Sequence, residues 1–246
     1  MNKLKLKIGI TFLCLCTGIL GWTQNNNILR TCLEIVQHPQ DFQYSIDSSE
    51  FSELKNPIFY SEQDYTDALI IDNENLHFID FNKDGNNDII YKDTAHHEAI
   101  ILFAKKGNDF HEIWSFPGKL MDIKQGKETI IYVQMNSYAC LDISMLIELT
   151  VHNDNSITEN SIAYHNETKI ENIETTFEQQ IISGILRIQP NLNDQEKMDP
   201  CTGDLKKGNH LRIIDNKTVT IIKKQKDWLL VIYKENNRSH IGWIKN

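Results

Sequence analysis

The chain has 246 residues, of which 40% are hydrophobic and 24% are charged, a composition of globular rather than disordered proteins. Its formal net charge of −9 at pH 7 argues against nucleic-acid binding, which needs a basic surface. The length suffices for one large domain or two small ones.

Residues 1–23 have the layout of a secretory signal peptide. Lys3, Lys5 and Lys7 precede an apolar stretch over residues 8–22, and polar residues follow at once. Because the apolar run is short for a membrane span, we expect cleavage after Thr23 rather than a retained anchor. The sequence therefore predicts a periplasmic or secreted protein that is not integral to the membrane. Loss of three lysines and no acidic residue makes the mature chain still more acidic.

Three cysteines follow the predicted leader, at Cys32, Cys140 and Cys201. In an oxidising compartment this odd number permits one disulfide with a spare thiol, or no disulfide. The pairing stays open, because sequence spacing alone does not choose a partner.

The chain after the leader begins with a short predicted helix and a loop, over residues 24–56. The helix, about 28–37, places six residues on one face: Ile28, Leu29, Cys32, Leu33, Ile35 and Val36. Residues 57–165 predict an antiparallel β domain, in which Gly107-Asn108 is typical of a hairpin turn. In its strand near residue 145, the residues Leu141, Ile143, Met145, Ile147 and Leu149 share one face. The other face holds Asp142, Ser144 and Glu148.

A polar linker over residues 166–180 and a second β unit over residues 181–246 complete the predicted order. The predicted fold class is mainly β, with one short N-terminal helix. Its parts are an antiparallel β domain, related to a propeller blade or a degenerate relative of one, and a small β barrel.

An acidic loop lies within the antiparallel domain, in "FIDFNKDGNNDIIYKD". Counted from Asp80, side-chain oxygens fall at positions 1, 3, 5 and 9, which are Asp80, Asn82, Asp84 and Asp88. Gly85 stands at position 6, where a cation loop turns sharply, and Asn86 at position 7 can offer its backbone carbonyl. Position 12 is Tyr91 rather than glutamate and strands flank the loop, so it is not an EF-hand.

The segment from about residue 70 to about residue 116 resembles one FG-GAP (VCBS-type) repeat. The resemblance is carried by this loop and by the following "AIILFAKKGNDFHEIW". The resemblance implies a weak Ca²⁺ site held by Asp80, Asn82, Asp84, Asn86 and Asp88. Such repeats normally stack into a propeller, but only one clean loop occurs in this chain. The alternative is a hydrated Asn-Asp turn without metal, since these residues also favour turns.

The C-terminal unit resembles a bacterial SH3-type domain. Four segments carry the resemblance: "ILRIQPN", "GDLKKGNHLRII", "DWLLVIY" and "HIGWIKN". The stretches from Pro190 to Gly203 and from Gly208 to Trp228 are longer than the family pattern. We expect Trp228 in the core and Tyr233 and Trp243 in a ligand groove, where an aromatic ring can keep one polar edge in water. The resemblance implies a non-catalytic module that binds cell-wall peptide or peptidoglycan.

The sequence predicts a non-enzymatic extracytoplasmic protein that binds a cell-envelope ligand, either a peptide or glycan or an envelope protein. Cys140 is the one plausible nucleophile, but it heads an alternating strand and reads better as a buried or disulfide cysteine. The adjacent His96, His97 and Glu98 point to opposite faces of a strand, which is unfavourable for metal binding. Two alternatives stay open: a cell-wall hydrolase with an unrecognised site in residues 57–165, and an envelope inhibitor or assembly factor.

Overall fold

A computed structural model of the protein describes residues 29–40, 42–44, 59–60, 75–93, 98–135, 142–174, 176–199 and 202–246. Within these ranges the chain is mainly β, and its single helix, α1, spans residues 29–37. Both features confirm the predicted fold class. The predicted signal peptide lies outside the described residues, as do Cys140 and Cys201.

The first sheet has five strands. They are β1 (Phe59–Tyr60), β2 (Leu76–Ile79), β3 (Asp88–Asp93), β4 (Ala99–Lys106) and β5 (Asp109–Pro117). Their spatial order is β1-β5-β4-β3-β2, with β1 parallel to β5 and all other pairs antiparallel. The predicted hairpin turn joins β4 to β5, and Gly107 takes φ +68° there, a conformation that costs glycine little.

The second sheet has eight strands. They are β6 (Lys119–Gln125), β7 (Thr129–Met135), β8 (Ile143–Val151), β9 (Ile157–His165), β10 (Glu178–Arg187), β13 (His210–Gln225), β14 (Trp228–Glu235) and β15 (Arg238–Lys245). A separate hairpin of β11 (Glu196–Met198) and β12 (Leu205–Lys207) lies between β10 and β13 in the chain. The spatial order is β10-β13-β14-β15-β9-β8-β7-β6.

Strands β10, β13, β14 and β15 close into a small barrel, because β10 also pairs with β15 at Arg187 and Trp243. The two stretches that exceed the SH3-type pattern have different structures. The stretch after Pro190 contains β11, which pairs with β12 just beyond Gly203, whereas the stretch before Trp228 lengthens one strand, β13, to 16 residues. Membership of the SH3-type family stays a prediction.

The two predicted β units share one sheet. Strand β9 of the first unit pairs in parallel with β15 of the second, with Ser161 opposite Arg238. The intervening segment, predicted as a linker, buries Ile170 and Phe177 in the same apolar cluster as Trp243. Independent folding of the C-terminal unit therefore stays a prediction, to be tested on a fragment that loses these contacts.

Two apolar layers cover the two faces of the eight-stranded sheet in the region of β6 to β9. On one face, side chains such as Ile131 and Ile147 pack against Ile90 and Leu102 of the five-stranded sheet. On the other face, helix α1 packs Leu33 against the sheet. Strand β8 is therefore buried on both faces, and Glu148, on the face predicted to be polar, is only 5% exposed.

Candidate functional site

The acidic loop closes around a sharp turn between β2 and β3. The two carboxylate oxygens of Asp80 accept hydrogen bonds from the backbone N–H groups of Asp84 and Gly85, both at 3.1 Å. Gly85 has φ +88°, in the left-handed region that favours glycine. The glycine at position 6 is thus explained by the turn, and the first aspartate holds that turn closed.

Asn82 joins this loop to the second sheet. Its Oδ1 accepts from the backbone N–H of Asp84 at 3.0 Å, and its Nδ2 donates to Asp84 Oδ2 at 3.1 Å. The same Nδ2 donates to Oδ1 of Asn155 at 2.8 Å. Asn155 lies in the turn between β8 and β9 and has φ +66°. Asn82 is 1% exposed, so this contact is an interior link between the two sheets.

Asp88 is turned into the protein interior. Its two oxygens accept from the backbone N–H groups of Phe81, at 3.1 Å, and Lys105, at 2.9 Å, and its side chain is fully buried. Burial raises the pKa of this carboxyl to about 6, although backbone hydrogen bonds from Lys105, Phe81 and Asn82 oppose the rise. Asp88 therefore links the loop to β4. The sequence had predicted it as a cation ligand, but both of its oxygens accept backbone hydrogen bonds inside the protein.

Asp84 and Asn86 lie on the exposed rim of the loop. The backbone N–H and the Nδ2 of Asn86 donate to Asp84 Oδ1 at 2.8 and 3.0 Å. Partial desolvation would raise the pKa of Asp84. The hydrogen bonds from Asn86 and Asn82, and the charge of Lys105, outweigh that effect and lower it. Asp84 is thus held as a carboxylate.

The predicted metal ligands are only partly brought together. The side chains of Asp80 and Asn82 both accept from the backbone N–H of Asp84, and Asn82 also donates to the Asp84 carboxylate, whereas Asp88 lies on the inner side. Among the described residues, no three His, Cys, Asp or Glu side chains form a metal-holding group. Two carboxylates and one amide oxygen nevertheless form a hard-oxygen donor set, which suits Ca²⁺. The remaining ligands would have to be backbone carbonyls or water.

The two aromatic residues expected in a ligand groove are buried. Trp243 is 2% exposed and belongs to the cluster beneath α1, and Tyr233 is 5% exposed within the barrel core. Trp228, expected in the core, is only partly buried. The expected order of the two tryptophans is thus reversed. Trp243 is buried because it packs in one cluster with Leu33 of α1 and with Ile170 and Phe177 of the segment before β10.

The β11–β12 hairpin exposes apolar side chains that were not predicted to belong to a site. Met198 and Leu205 face each other across the hairpin and are 70% and 65% exposed. Leu192, just before the hairpin, is also exposed. The sequence signal was the excess length after Pro190 relative to the SH3-type pattern.

The one described cysteine is buried beside a carboxyl group. Cys32 Sγ donates to Glu148 Oε2 at 3.5 Å, and it forms no disulfide. Burial, and then the Glu148 charge, raise the pKa of the thiol far above its ordinary value, so the thiol stays protonated. Burial also raises the pKa of Glu148, against hydrogen bonds from Cys32 and Asn160. A protonated, buried thiol is a poor nucleophile.

The other predicted candidates give no catalytic cluster in the described parts of the chain. Glu98 forms ion pairs with Lys92 at 3.0 Å and Lys119 at 3.6 Å, and its histidine neighbours lie outside the described residues. None of the described helices is long and apolar enough to span a membrane. Comparisons with protein-family models, with curated proteins and with solved structures find no match to this chain.

Proposed function

We propose that the protein is a non-enzymatic, extracytoplasmic binding protein whose β11–β12 hairpin contacts a cell-envelope ligand. The observation that carries this proposal is the exposed pair of Met198 and Leu205. Exposed large apolar side chains that lie together often mark an interaction surface. These two are directly opposed in register, so they form one continuous patch.

The charges beside the patch are mixed. Lys207 lies opposite Glu196 on the same face as the apolar pair, whereas Lys197 and Lys206 oppose each other on the other face. Lys206 is also engaged, because its Nζ contacts Asp199 Oδ2 at 2.6 Å. The patch therefore offers mainly apolar contact, with Lys207 as an exposed cation beside it, which suits a ligand that carries an apolar group next to a carboxylate, such as a stem peptide of peptidoglycan.

The buried aromatic residues have a supporting role in this proposal. Trp243 lies opposite Arg187, where β10 and β15 close the barrel, and Arg187 forms an ion pair with Asp194. His210 Nε2 lies 2.9 Å from Asp194 Oδ1. These contacts attach the segment before β11 to the barrel. They therefore fix the position from which the β11–β12 hairpin extends.

Calcium has a structural part in the proposal. The side chains of Asp80, Asn82 and Asp84 would hold Ca²⁺. The ion would neutralise the negative charges of the two neighbouring carboxylates, Asp80 and Asp84. Asn82 also contacts Asn155, so an ordered loop would strengthen the link between the two sheets. Without a bidentate glutamate the affinity should be low, with a Kd on the order of 10⁻⁴–10⁻³ M, as in extracellular modules.

Co-sedimentation with purified peptidoglycan sacculi tests the binding function. The protein, as processed by the cell, is incubated with sacculi and, as a matched insoluble control, with cellulose of equal mass. The proposal expects saturable retention on sacculi that cellulose does not reproduce. Equal retention on both materials, or none on sacculi at micromolar protein, would contradict it.

A further inference from the structure

A polar pocket lies where β9, β13 and the β14–β15 turn meet. It has a volume of about 340 Å³, and its lining includes Glu159, Ser161, Arg212, Glu235, Arg238 and His240. The geometry points to a binding site for the carboxylate group of a small peptide, received by Arg238 beside Arg212 and His240. The choice of a peptide as the source of the carboxylate rests on the proposed envelope-binding function.

Arg212 is held in place at one wall of the pocket. Its Nη1 forms an ion pair with Oε2 of Glu235, and its guanidinium lies 5.8 Å from the centroid of the Tyr233 ring. Both contacts restrict the side chain, and the cation over the aromatic ring adds attraction. The charge of Arg212 is thus largely matched by Glu235 before any ligand arrives.

Arg238 is the positively charged residue of this pocket that is available to a ligand. It lies opposite Glu235 across the turn and beside Ser161 of β9. Its side chain is exposed, and no carboxylate of the described residues pairs with it, since Glu235 is taken by Arg212. A guanidinium presents paired N–H donors that match the two oxygens of a carboxylate.

His240 stands two residues from Arg238 on the same face of β15, and it is half-buried. Burial lowers the pKa of its imidazole, and the nearby charges of Arg212 and Arg238 lower it further, against the opposing effect of Glu235. The ring is therefore neutral at neutral pH. A neutral imidazole can donate one N–H to a bound carboxylate without adding a third positive charge to the pocket.

The acidic residues of the pocket select the kind of anion. Glu159 Oε2 accepts from Trp114 Nε1 at 3.3 Å, which orients this carboxylate but does not neutralise it. With two arginines and two glutamates, the lining has no net charge while His240 is neutral. A multiply charged phosphate would be repelled by Glu159 and Glu235. A single carboxylate can contact Arg238, and the amide N–H groups of a peptide can donate to Glu159.

Calorimetric titration with a matched pair of dipeptides tests this site. The probes are N-acetyl-alanyl-alanine and its C-terminal amide, which differ at the carboxylate alone. We expect the acid to bind at least about tenfold more tightly than the amide, as for a charge-assisted hydrogen-bonded pair. Arg238→Gln should weaken binding of the acid by a similar factor and leave the amide unaffected. Lys245→Gln removes an exposed cation from the same strand and should change neither titration.

The outcomes separate this site from the proposed function. Equal binding of acid and amide, absence of binding at millimolar dipeptide, or unchanged binding by Arg238→Gln would overturn the inference. Tighter binding of inorganic phosphate than of the dipeptide acid would overturn the carboxylate assignment. If the dipeptide fails while sacculi still retain the protein, the pocket is wrong and the binding function stands. A thermal melt of Arg238→Gln that matches the unmodified protein shows that the fold is intact.

Discussion

Truncation of the two barrel tryptophans should have unequal effects on stability. Trp243 is 2% exposed, lies opposite Leu230 and Arg187 in register, and packs in the cluster beneath α1. Replacing a buried tryptophan with alanine costs about 3–5 kcal/mol, because it removes apolar contacts and leaves a cavity. Since domains are stable by about 5–15 kcal/mol, Trp243→Ala should remove at least about a fifth of the free energy of unfolding.

Trp228→Ala is the matched comparison. Trp228 is partly exposed at the start of β14, opposite Lys245 and Gln225, so truncation removes less buried surface. We expect a loss of about 1–2 kcal/mol from this partial burial. Urea unfolding followed by far-UV circular dichroism measures both variants without relying on tryptophan fluorescence. A loss for Trp228→Ala equal to or larger than that for Trp243→Ala would refute the packing described for β15.

Three further perturbations test other parts of the molecule. The unmodified protein should melt at a higher temperature in millimolar calcium than in chelator, and so should Asp227→Ala, an exposed control. Asp84→Ala should show no such rise. The same rise in Asp84→Ala would contradict the assignment of the loop as a calcium site. Burial raises the pKa of Glu148, so just above the ordinary glutamate pKa of 4.5 the folded state binds more protons than the unfolded state. The free energy of unfolding therefore falls as pH rises through that window. Glu148→Gln should flatten this slope in urea titrations, and an unchanged slope would exclude Glu148 as its source. A fragment of residues 178–246 should give a dispersed NMR spectrum with a lower unfolding free energy than the whole chain, whereas a random-coil spectrum would refute the predicted boundary.

Local patterns were sufficient to predict α1 and the first hairpin turn, but not the β11–β12 hairpin or the length of β13. The apolar spacing of α1 and the Gly107-Asn108 turn were both found as predicted, because helix faces and two-residue turns depend on neighbouring residues. The sharp turn at Gly85 was also predicted from its position in the loop, although the hydrogen bond from its N–H to Asp80 was not. These features are encoded within about ten residues of chain, where sequence order and spatial proximity coincide.

The burial of particular side chains depended on contacts between distant segments. Glu148 alternates with apolar residues and reads as solvent-facing, but α1, more than 100 residues earlier, covers it through Cys32. Trp243 has the local pattern of a groove residue, but α1 and the segment before β10 cover it. Asn155 showed no sign of its link to Asn82, since a turn asparagine has the same local pattern with or without a distant partner. Such pairings arise from topology, which one sequence does not specify.

The most direct test of the central claim compares hairpin variants in the sacculus assay. Met198→Ser/Leu205→Ser removes the apolar pair of β11–β12, and Ile181→Ser removes an equally exposed apolar side chain, 66% exposed, from β10. We expect the double variant to lose at least about tenfold in affinity, because each of the two apolar side chains buries surface on binding. Ile181→Ser should bind as the unmodified protein does. Retention of the double variant at the unmodified level, with all three proteins equally stable, would contradict the claim that this hairpin is the binding surface.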